Sequence, residues 1–340
     1  MTATPYRISF FGGGTDFHTW FRENGGAIIG TTINHYSYLT CRYLPPFFKE
    51  KYRIVWSKVE NTNSIQDILH PAVRGALSYM DIEKGVEIHN MSDLPARAGL
   101  GSSSSFSVGM LKILHELKGA DIDKYSLAKK AIYLEQSVLK EIGGIQDQIH
   151  VAFGGFNHIA INPDGDFAVE PVGIAEDRKS DLQDRLLLFF TGVSRFSYQV
   201  SKAHVQNIPK KNSELSQMQA LVGECKNTLL GESSLDEFGR LLHESWKLKR
   251  SLSDKISPPF IDSIYERGLK AGALGGKLLG AGGGGFILFY VPVESRENVL
   301  RELDEFIHVP FSFSSEGSRI LYSANSELQM NKFSQEGVTA

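Results

Sequence analysis

Apolar and polar positions along the 340-residue chain alternate between short strand-like runs and longer stretches with helical spacing. YRISFF (6–11) reads as a strand that follows Pro5 and ends in a glycine cluster. AIIGTTINHYSYLTCRYL (27–44) alternates in part and reads as one long strand or a hairpin. Residues 52–59 predict a further strand, HPAVRGALSYM (70–80) a short helix, and GVEIHNM (85–91) a strand. FSVGMLKILHEL (106–117) then places apolar side chains at helical spacing. A second helix is expected over 126–141, interrupted by Gly143-Gly144, after which QDQIHVAF starts a new helical turn. FNHIAIN and FAVEPV close this half as strands around an Asn-Pro-Asp-Gly turn.

Near 174–181 the pattern lapses: AEDRKSD is charged and unpatterned, and marks the expected lobe boundary. The chain divides on this basis into lobes at 1–178 and 179–330 and a polar tail at 331–340, with fraying expected from Asn325. The second lobe opens with a buried strand, LLLFF (186–190), followed by helices at about 198–206, 213–230, 235–252 and 259–273. The strand FILFYV, a helix over 295–306 and the strand FSFSSEGSRILY complete a second α+β layer.

Bulk properties narrow the field. A formal net charge of −3 gives no basic face for nucleic acid. Cys41 and Cys225 fit neither a disulfide framework nor a metal spacing. No apolar run reaches the roughly 18 residues of a membrane span, and the N-terminus lacks a secretory pattern. A soluble, cytoplasmic globular protein is expected.

Glycine is the anomaly: 33 in 340 residues, against about 7% in an average chain. The excess clusters at 12–14, at 99 and 101, at 143–144 and 154–155, and between 272 and 285. Glycine concentrates where backbone turns sharply or approaches something closely.

At 95–106, PARAGLGSSSSF runs from a two-glycine loop into a helix opened by four serines. A helix start presents unpaired N–H groups and partial positive charge, which suit a phosphate; a simple serine cap is the competing explanation, and needs only one serine. The usual nucleotide signatures fail elsewhere. The P-loop form at Gly276-Lys277 has Ala271 and Leu278 where glycine and Ser/Thr are required. The GxGxxG string at Gly280, Gly282 and Gly285 follows a helix and precedes a strand, the reverse of a dinucleotide fold. It also fits the glycine loop of protein kinases, but the chain has no HRD or DFG. Arg7 and Asp16 flank FFGGGT, and Asp147 follows Gly143-Gly144; alone, Arg7 reads as a surface cation and Asp147 as a helix-capping or solvated carboxylate.

Together these segments, in this order, resemble the GHMP small-molecule kinases: RISFFGGGTDF their first motif, PARAGLGSSSSF their nucleotide-phosphate motif and KLLGAGGGGFILFY their third. The resemblance implies a two-lobed α+β fold, with an N-terminal nucleotide/acceptor lobe, a ferredoxin-like C-terminal lobe and the active site in the cleft between them. It implies ATP and Mg²⁺ as cofactors. Arg97, Gly99, Leu100, Gly101, Ser102, Ser103 and Ser104 would hold the ATP phosphates, with Ser103 and Glu135 on the metal. Asp147 would be the base and Arg7 its partner facing the acceptor oxygen. His150, close to Asp147, is a minor alternative as base and reads first as a residue that packs or bonds locally. Phosphoryl transfer of this kind needs in-line positioning and charge neutralisation, and a carboxylate beside a guanidinium stays ionised to accept the hydroxyl proton.

For the acceptor, the resemblance assigns Gly13, Gly14, Thr15, Asp16, Arg195, Gly282, Gly283 and Gly284. Galactokinases carry Glu-His where this chain has Gly13-Gly14, so a sugar other than galactose is implied. GGGTD, HPAVR (70–74) and TGVSR (191–195) look like the kinases of D-glycero-D-manno-heptose 7-phosphate. These act at the anomeric hydroxyl and supply nucleotide-activated heptose for bacterial surface glycans. A sugar phosphate needs a basic subsite, for which Arg97, Arg195, Lys202 and the KLKR run at 247–250 are candidates; the run reads equally as a solvated helix face. Fucokinase-like action on an unphosphorylated sugar, a non-catalytic sugar/ATP sensor and an ATP-dependent decarboxylase are the alternatives.

Overall fold

The computed structural model describes residues 1–45, 47–193 and 207–324. Arg195, Lys202, the helix expected at 198–206 and the tail from Asn325 lie outside the described residues.

The first strand, β1 (Thr2–Phe11), leads through α1 (His18–Asn24) into β2 (Gly26–Tyr43), a single strand of 18 residues rather than a hairpin. The strand expected at 52–59 is instead a hairpin, β3 (Tyr52–Val55) and β4 (Val59–Thr62), closed by Trp56 N–H on the Lys58 carbonyl. After α2 (Pro71–Tyr79) and β5 (Val86–Ser92) come α3 (Ser102–Leu117), α4 (Lys124–Tyr133) and α5 (Gln146–Phe153). The helix expected to run to 141 leaves α-geometry at 133 and widens into a π-turn, Leu134–Val138. Such turns occur disproportionately at functional sites. β6 (Phe156–Ile161) and β7 (Phe167–Pro171) follow.

β2 organises the first sheet. Its whole central length pairs with β1, while its other edge is divided between β6 at residues 26–31 and β5 at 37–43. The gap at Thr32 and Ile33 is filled by a strand from the far end of the chain, as described below.

The segment AEDRKSD is helical after all: α6 (Glu176–Asp184) carries two acidic residues in its first turn and buries only Leu182, so no apolar stripe announces it. β8 (Leu186–Phe190), α7 (Asn212–Leu230), α8 (Asp236–Ser251) and α9 (Pro259–Lys270) follow. β9 (Gly275–Leu278) is absent from the sequence expectation because Gly275 and Gly276 mask it; a Cβ there would meet Gly239 O at 2.0 Å and Leu288 O at 2.4 Å. β10 (Phe286–Tyr290), α10 (Arg296–Glu302) and β11 (Ile307–His308) complete a four-stranded antiparallel sheet, ordered β11-β8-β10-β9 among the described residues.

The strand expected over FSFSSEGSRILY does not complete this second layer. It forms two short strands, β12 (Phe313–Ser314) on β2 and β13 (Arg319–Ile320) on β1, so the chain returns to the first lobe. Open hydrogen-bonding positions on β1 and β2 draw it there, and isolated two-residue strands gain nothing elsewhere.

The lobes share a core. Phe10 and Phe11 each set a ring edge-on against Phe238 of α8 at 5.3 Å, and Phe10 stacks on Phe156 at 5.4 Å. Such pairs add about 0.5–1.5 kcal/mol each beyond their burial. β1 therefore carries the first glycine cluster from the heart of the molecule into the space between the sheets. Among the described residues no helix is long and apolar enough to cross a membrane.

Candidate active site

The cleft is built where the glycine clusters converge. Gly99 and Leu279 approach so closely that a Cβ on Gly99, whose φ is +92°, would lie 2.5 Å from the Leu279 carbonyl oxygen. Phe286 N–H bonds to Ala98 O at 3.0 Å and ties the two loops together. The second and third motifs thus touch each other.

No side chain caps α3. Its N-cap is Gly101, left-handed at φ 76°, which excludes the capping explanation of the four serines. Ser102 Oγ accepts from Arg97 N–H at 2.9 Å and shapes the loop; Ser105 Oγ donates to Pro5 O at 2.8 Å and anchors the helix to β1. Ser104 Oγ donates to Glu135 Oε2 at 3.1 Å, and Ser103 Oγ lies 3.5 Å from Glu141 Oε2. Ser102, Ser103 and Ser104 line the cleft with Arg97, Gly99 and Gly101, around a helix start suited to phosphate.

Arg7 is 4% exposed, and its guanidinium serves three acceptor atoms on two residues. Its Nε and Nη2 donate to Asp147 Oδ1 and Oδ2 at 2.7 and 2.6 Å, and Nη1 donates to Gly99 O at 2.7 Å. The Asp147 side chain is 27% exposed, so it is held by Arg7 yet open to the cleft. His150, the alternative base, is fully buried with neither ring nitrogen hydrogen-bonded; burial, then the Arg7 charge, holds it neutral by lowering its pKa to about 3. It packs beneath Gly30 and takes no part in the cleft.

On the acceptor side, Gly13, Gly14 and Asp16 line the cleft. Asp16 accepts Gly14 N–H at 3.0 Å and Gln146 N–H at 3.3 Å, and burial raises its pKa above the ordinary carboxylate value. Thr15, by contrast, faces away: fully buried, its hydroxyl bonds to Gly12 O and Ala27 O and fixes the turn. Leu100 packs in the core shared by the lobes, offering its carbonyl to Arg7 N–H at 3.1 Å. Gly283 ties back to Ile256 O at 2.9 Å, whereas Gly282 and Gly284 line the cleft. Thr15, Leu100 and Gly283 therefore support the site without lining it.

The residues fit a magnesium–nucleotide only in part on their own. Among the described residues no group of three or more His, Cys, Asp or Glu side chains is placed to hold a metal. Glu135, in the π-turn, is 5% exposed; Ser104 and Gln148 occupy Oε2 at 3.1 and 2.5 Å, and Oε1 has no hydrogen-bond partner among the described residues. Burial, then the charge of Glu141, lifts its pKa to about 8. A buried carboxylate with a vacant oxygen beside serines suits Mg²⁺ that also takes phosphate oxygens.

Other residues of the cleft escaped the sequence analysis: Ser9, Gln146, Gln148 and Glu141. Buried Ser9 Oγ, Gln146 Oε1 and Gln148 Oε1 have no hydrogen-bond partner among the described residues. The two glutamines flank Asp147 at the start of α5, a signal present in the sequence. Lys277, at the head of the third motif, is 3% exposed and donates to Phe10 O at 2.7 Å.

A helix start for phosphate and a carboxylate gripped by arginine, facing one cleft, suit phosphoryl transfer to a hydroxyl. The comparisons agree. Residues 66–155 match the GHMP kinases N terminal domain and residues 227–308 the GHMP kinases C terminal domain. The chain belongs to the GHMP kinases, and is a phosphotransferase with an alcohol acceptor, of the sugar-kinase type. It is 28% identical over 335 residues to the D-glycero-alpha-D-manno-heptose 7-phosphate kinase of Campylobacter jejuni, spanning 93% of this chain and 97% of that one. A galactokinase of Pyrococcus furiosus is 25% identical over 87% of this chain and 90% of its own. The crystal structure of a D-glycero-D-manno-heptose 1-phosphate kinase from Bacteroides thetaiotaomicron superposes with a TM-score of 0.78 at 25% identity, covering 95% of this chain and 99% of that one.

Proposed function

We propose that the protein transfers the γ-phosphoryl group of ATP, with Mg²⁺, to the anomeric C1 hydroxyl of a sugar phosphate, D-glycero-D-manno-heptose 7-phosphate, giving the 1,7-bisphosphate. Its product would feed nucleotide-activated heptose for bacterial surface glycans. The observation that carries the chemistry is the two-point grip of Arg7 on Asp147. Each Asp147 oxygen retains a lone pair after accepting from Arg7, and the exposed side takes the proton of the acceptor hydroxyl. The acceptor oxygen then bonds to the γ-phosphorus as the bond to ADP breaks, its electron pair leaving on ADP. Ser102 to Ser104 and the α3 start hold the nucleotide phosphates; Glu135 with a neighbouring serine would hold Mg²⁺, which supplies charge neutralisation there when bound.

The heptose is supported by the names of two relatives and by the room that Gly13-Gly14 leaves at the acceptor. Those relatives are named for different phosphate positions, the 7-phosphate and the 1-phosphate, so the position is tested directly. A second reading is anomeric phosphorylation of an unphosphorylated sugar. A stretch of 227 residues, 62% of this chain, is 30% identical to the L-fucokinase/L-fucose-1-P guanylyltransferase of Bacteroides fragilis, of which it spans 23%.

The test is ATP consumption with heptose 7-phosphate, heptose 1-phosphate, mannose 6-phosphate, fucose, galactose and mevalonate, with the product placed by phosphorus NMR. Turnover of the 7-phosphate to a 1,7-bisphosphate is expected. Turnover of fucose alone overturns the heptose assignment, and no turnover with any acceptor favours a sensor.

A further inference from the structure

Of the basic run at 247–250, one residue enters the cleft. Lys247 is exposed and paired to Glu244 at 3.1 Å, and Arg250 is paired to Asp262 at 2.8 Å. Lys249, in the last turn of α8, instead reaches under the third glycine loop and lines the cleft beside Leu252 and Ile256. Its Nζ donates to Leu278 O at 2.8 Å and Gly280 O at 2.6 Å, and sits 5.7 Å from the Trp246 ring centre. An ammonium has three N–H donors, so one remains after the two carbonyls are served.

The charges around it do not balance. Arg7 and Asp147 both act on Lys249, and Lys249, Arg7 and Asp16 act on buried Lys277. Lys249 and Arg7 therefore share this part of the cleft with Asp147, which Arg7 already engages at both oxygens. Burial, then the Lys249 and Arg7 charges, hold the Lys277 pKa well below the ordinary lysine value. A surplus positive charge out of water is costly unless an anion joins it.

We infer that Lys249 receives the anionic group of the acceptor, a sugar's own phosphate, through the remaining donor of its Nζ; the inference rests on the sugar-phosphate function proposed above. Carbonyls of Leu278 and Gly280 fix the ammonium where it meets a phosphate on a sugar whose hydroxyl faces Asp147. Burial, followed by the Arg7 charge, lowers the Lys249 pKa to about 7, and a bound phosphate dianion offsets that shift. Lys277, whose Nζ donates to Phe10 O and whose pKa burial holds well below the ordinary lysine value, is not the contact.

The test is steady-state kinetics of the wild type, Lys249→Met, Lys249→Arg and the surface control Lys247→Met, with the best sugar phosphate and with ATP varied separately. Lys249→Met is expected to raise the acceptor KM about tenfold or more, with ATP KM and kcat within about threefold. Lys249→Arg should fall between Met and wild type, and Lys247→Met should match wild type. Inorganic phosphate should compete with the sugar phosphate in the wild type and weakly in Lys249→Met. A loss confined to kcat would place Lys249 on the transferred phosphoryl group and overturn the inference, as would an unchanged acceptor KM. ATP binding and thermal unfolding of each variant separate these outcomes from misfolding; should Lys249→Met not fold, the Lys249→Arg shift and phosphate competition decide. A wild type that phosphorylates neutral sugars but no sugar phosphate overturns the proposed substrate itself, and the inference with it.

Discussion

Arg7 and Asp147, 140 residues apart in sequence, meet through two hydrogen bonds of 2.7 and 2.6 Å in the lining of the cleft. A third Arg7 bond, to Gly99 O at 2.7 Å, makes the same guanidinium a strut of the phosphate loop. One side chain therefore holds both the proposed base and the loop proposed for the nucleotide phosphates.

Replacing the base separates these tasks. Asp147→Asn is expected to lower kcat by about 10²- to 10⁴-fold while ATP KM stays within about threefold. Arg7→Lys, a point charge without the planar fork, should damage both kcat and ATP KM. Initial rates with ATP and acceptor varied separately check this; an Asp147→Asn enzyme with near wild-type kcat would remove Asp147 as base.

The serines give a contrast within one helix turn. Ser104, not Ser103, is the serine that touches Glu135, and it does so in a buried setting. Glu135→Gln is expected to raise the Mg²⁺ concentration for half-maximal rate by about tenfold or more. Ser104→Ala should do so more than Ser103→Ala if the buried contact orients the carboxylate. Mg²⁺ titrations at fixed ATP measure it, and equal midpoints for all three variants would detach Glu135 from the metal.

A single methyl should disturb the acceptor turn. A Cβ on Gly144 would lie 1.8 Å from Asp16 Oδ2, a side chain pinned by two backbone N–H groups, whereas a Cβ on Gly143 would meet nothing within 4 Å. Gly144→Ala is expected to raise acceptor KM about tenfold and to lower the melting temperature, with ATP KM little changed. Gly143→Ala is the matched comparison, and equal acceptor KM values for the two would show that Asp16 is not read by the acceptor.

His150 makes acid stability predictable in sign. Its pKa is about 3 when folded against an ordinary 6.5, because burial disfavours the charged ring. Below 6.5 the unfolded chain binds a proton that the folded chain refuses. The stability held above 6.5 is thus lost as pH falls toward 3, at up to roughly 1.4 kcal/mol per pH unit. His150→Leu, close in volume and with no hydrogen bond to forfeit, should flatten this limb. Urea unfolding between pH 4 and 7 tests it; parallel pH slopes for both proteins would assign the acid sensitivity elsewhere.

Much of the site was written in contiguous strings. PARAGLGSSSSF marked the phosphate loop because a helix start and the glycines that turn into it are local features. RISFFGGGTDF and IGGIQD carried Arg7 and Asp147 in the same way. The failures were equally physical. α6 has one buried residue and so no period to read, and β9 hides behind two glycines. Thr15 and Leu100 sit between neighbours that line the cleft, Gly14 and Asp16 in one case and Gly99 and Gly101 in the other, yet their side chains turn inward, and spacing alone does not say which way a loop residue points.

What the sequence by itself determined was the chemistry available: a glycine-and-serine helix start, an arginine, a carboxylate and a family resemblance that implied one cleft for them. Only the tertiary structure decided which groups touch. It put Ser104 on Glu135, selected Lys249 from a run of four, and brought residues 313–320 back to the first sheet. Those choices depend on contacts between residues tens to hundreds of positions apart. They are settled by burial and by the need of each buried polar group for a partner, which no local pattern encodes.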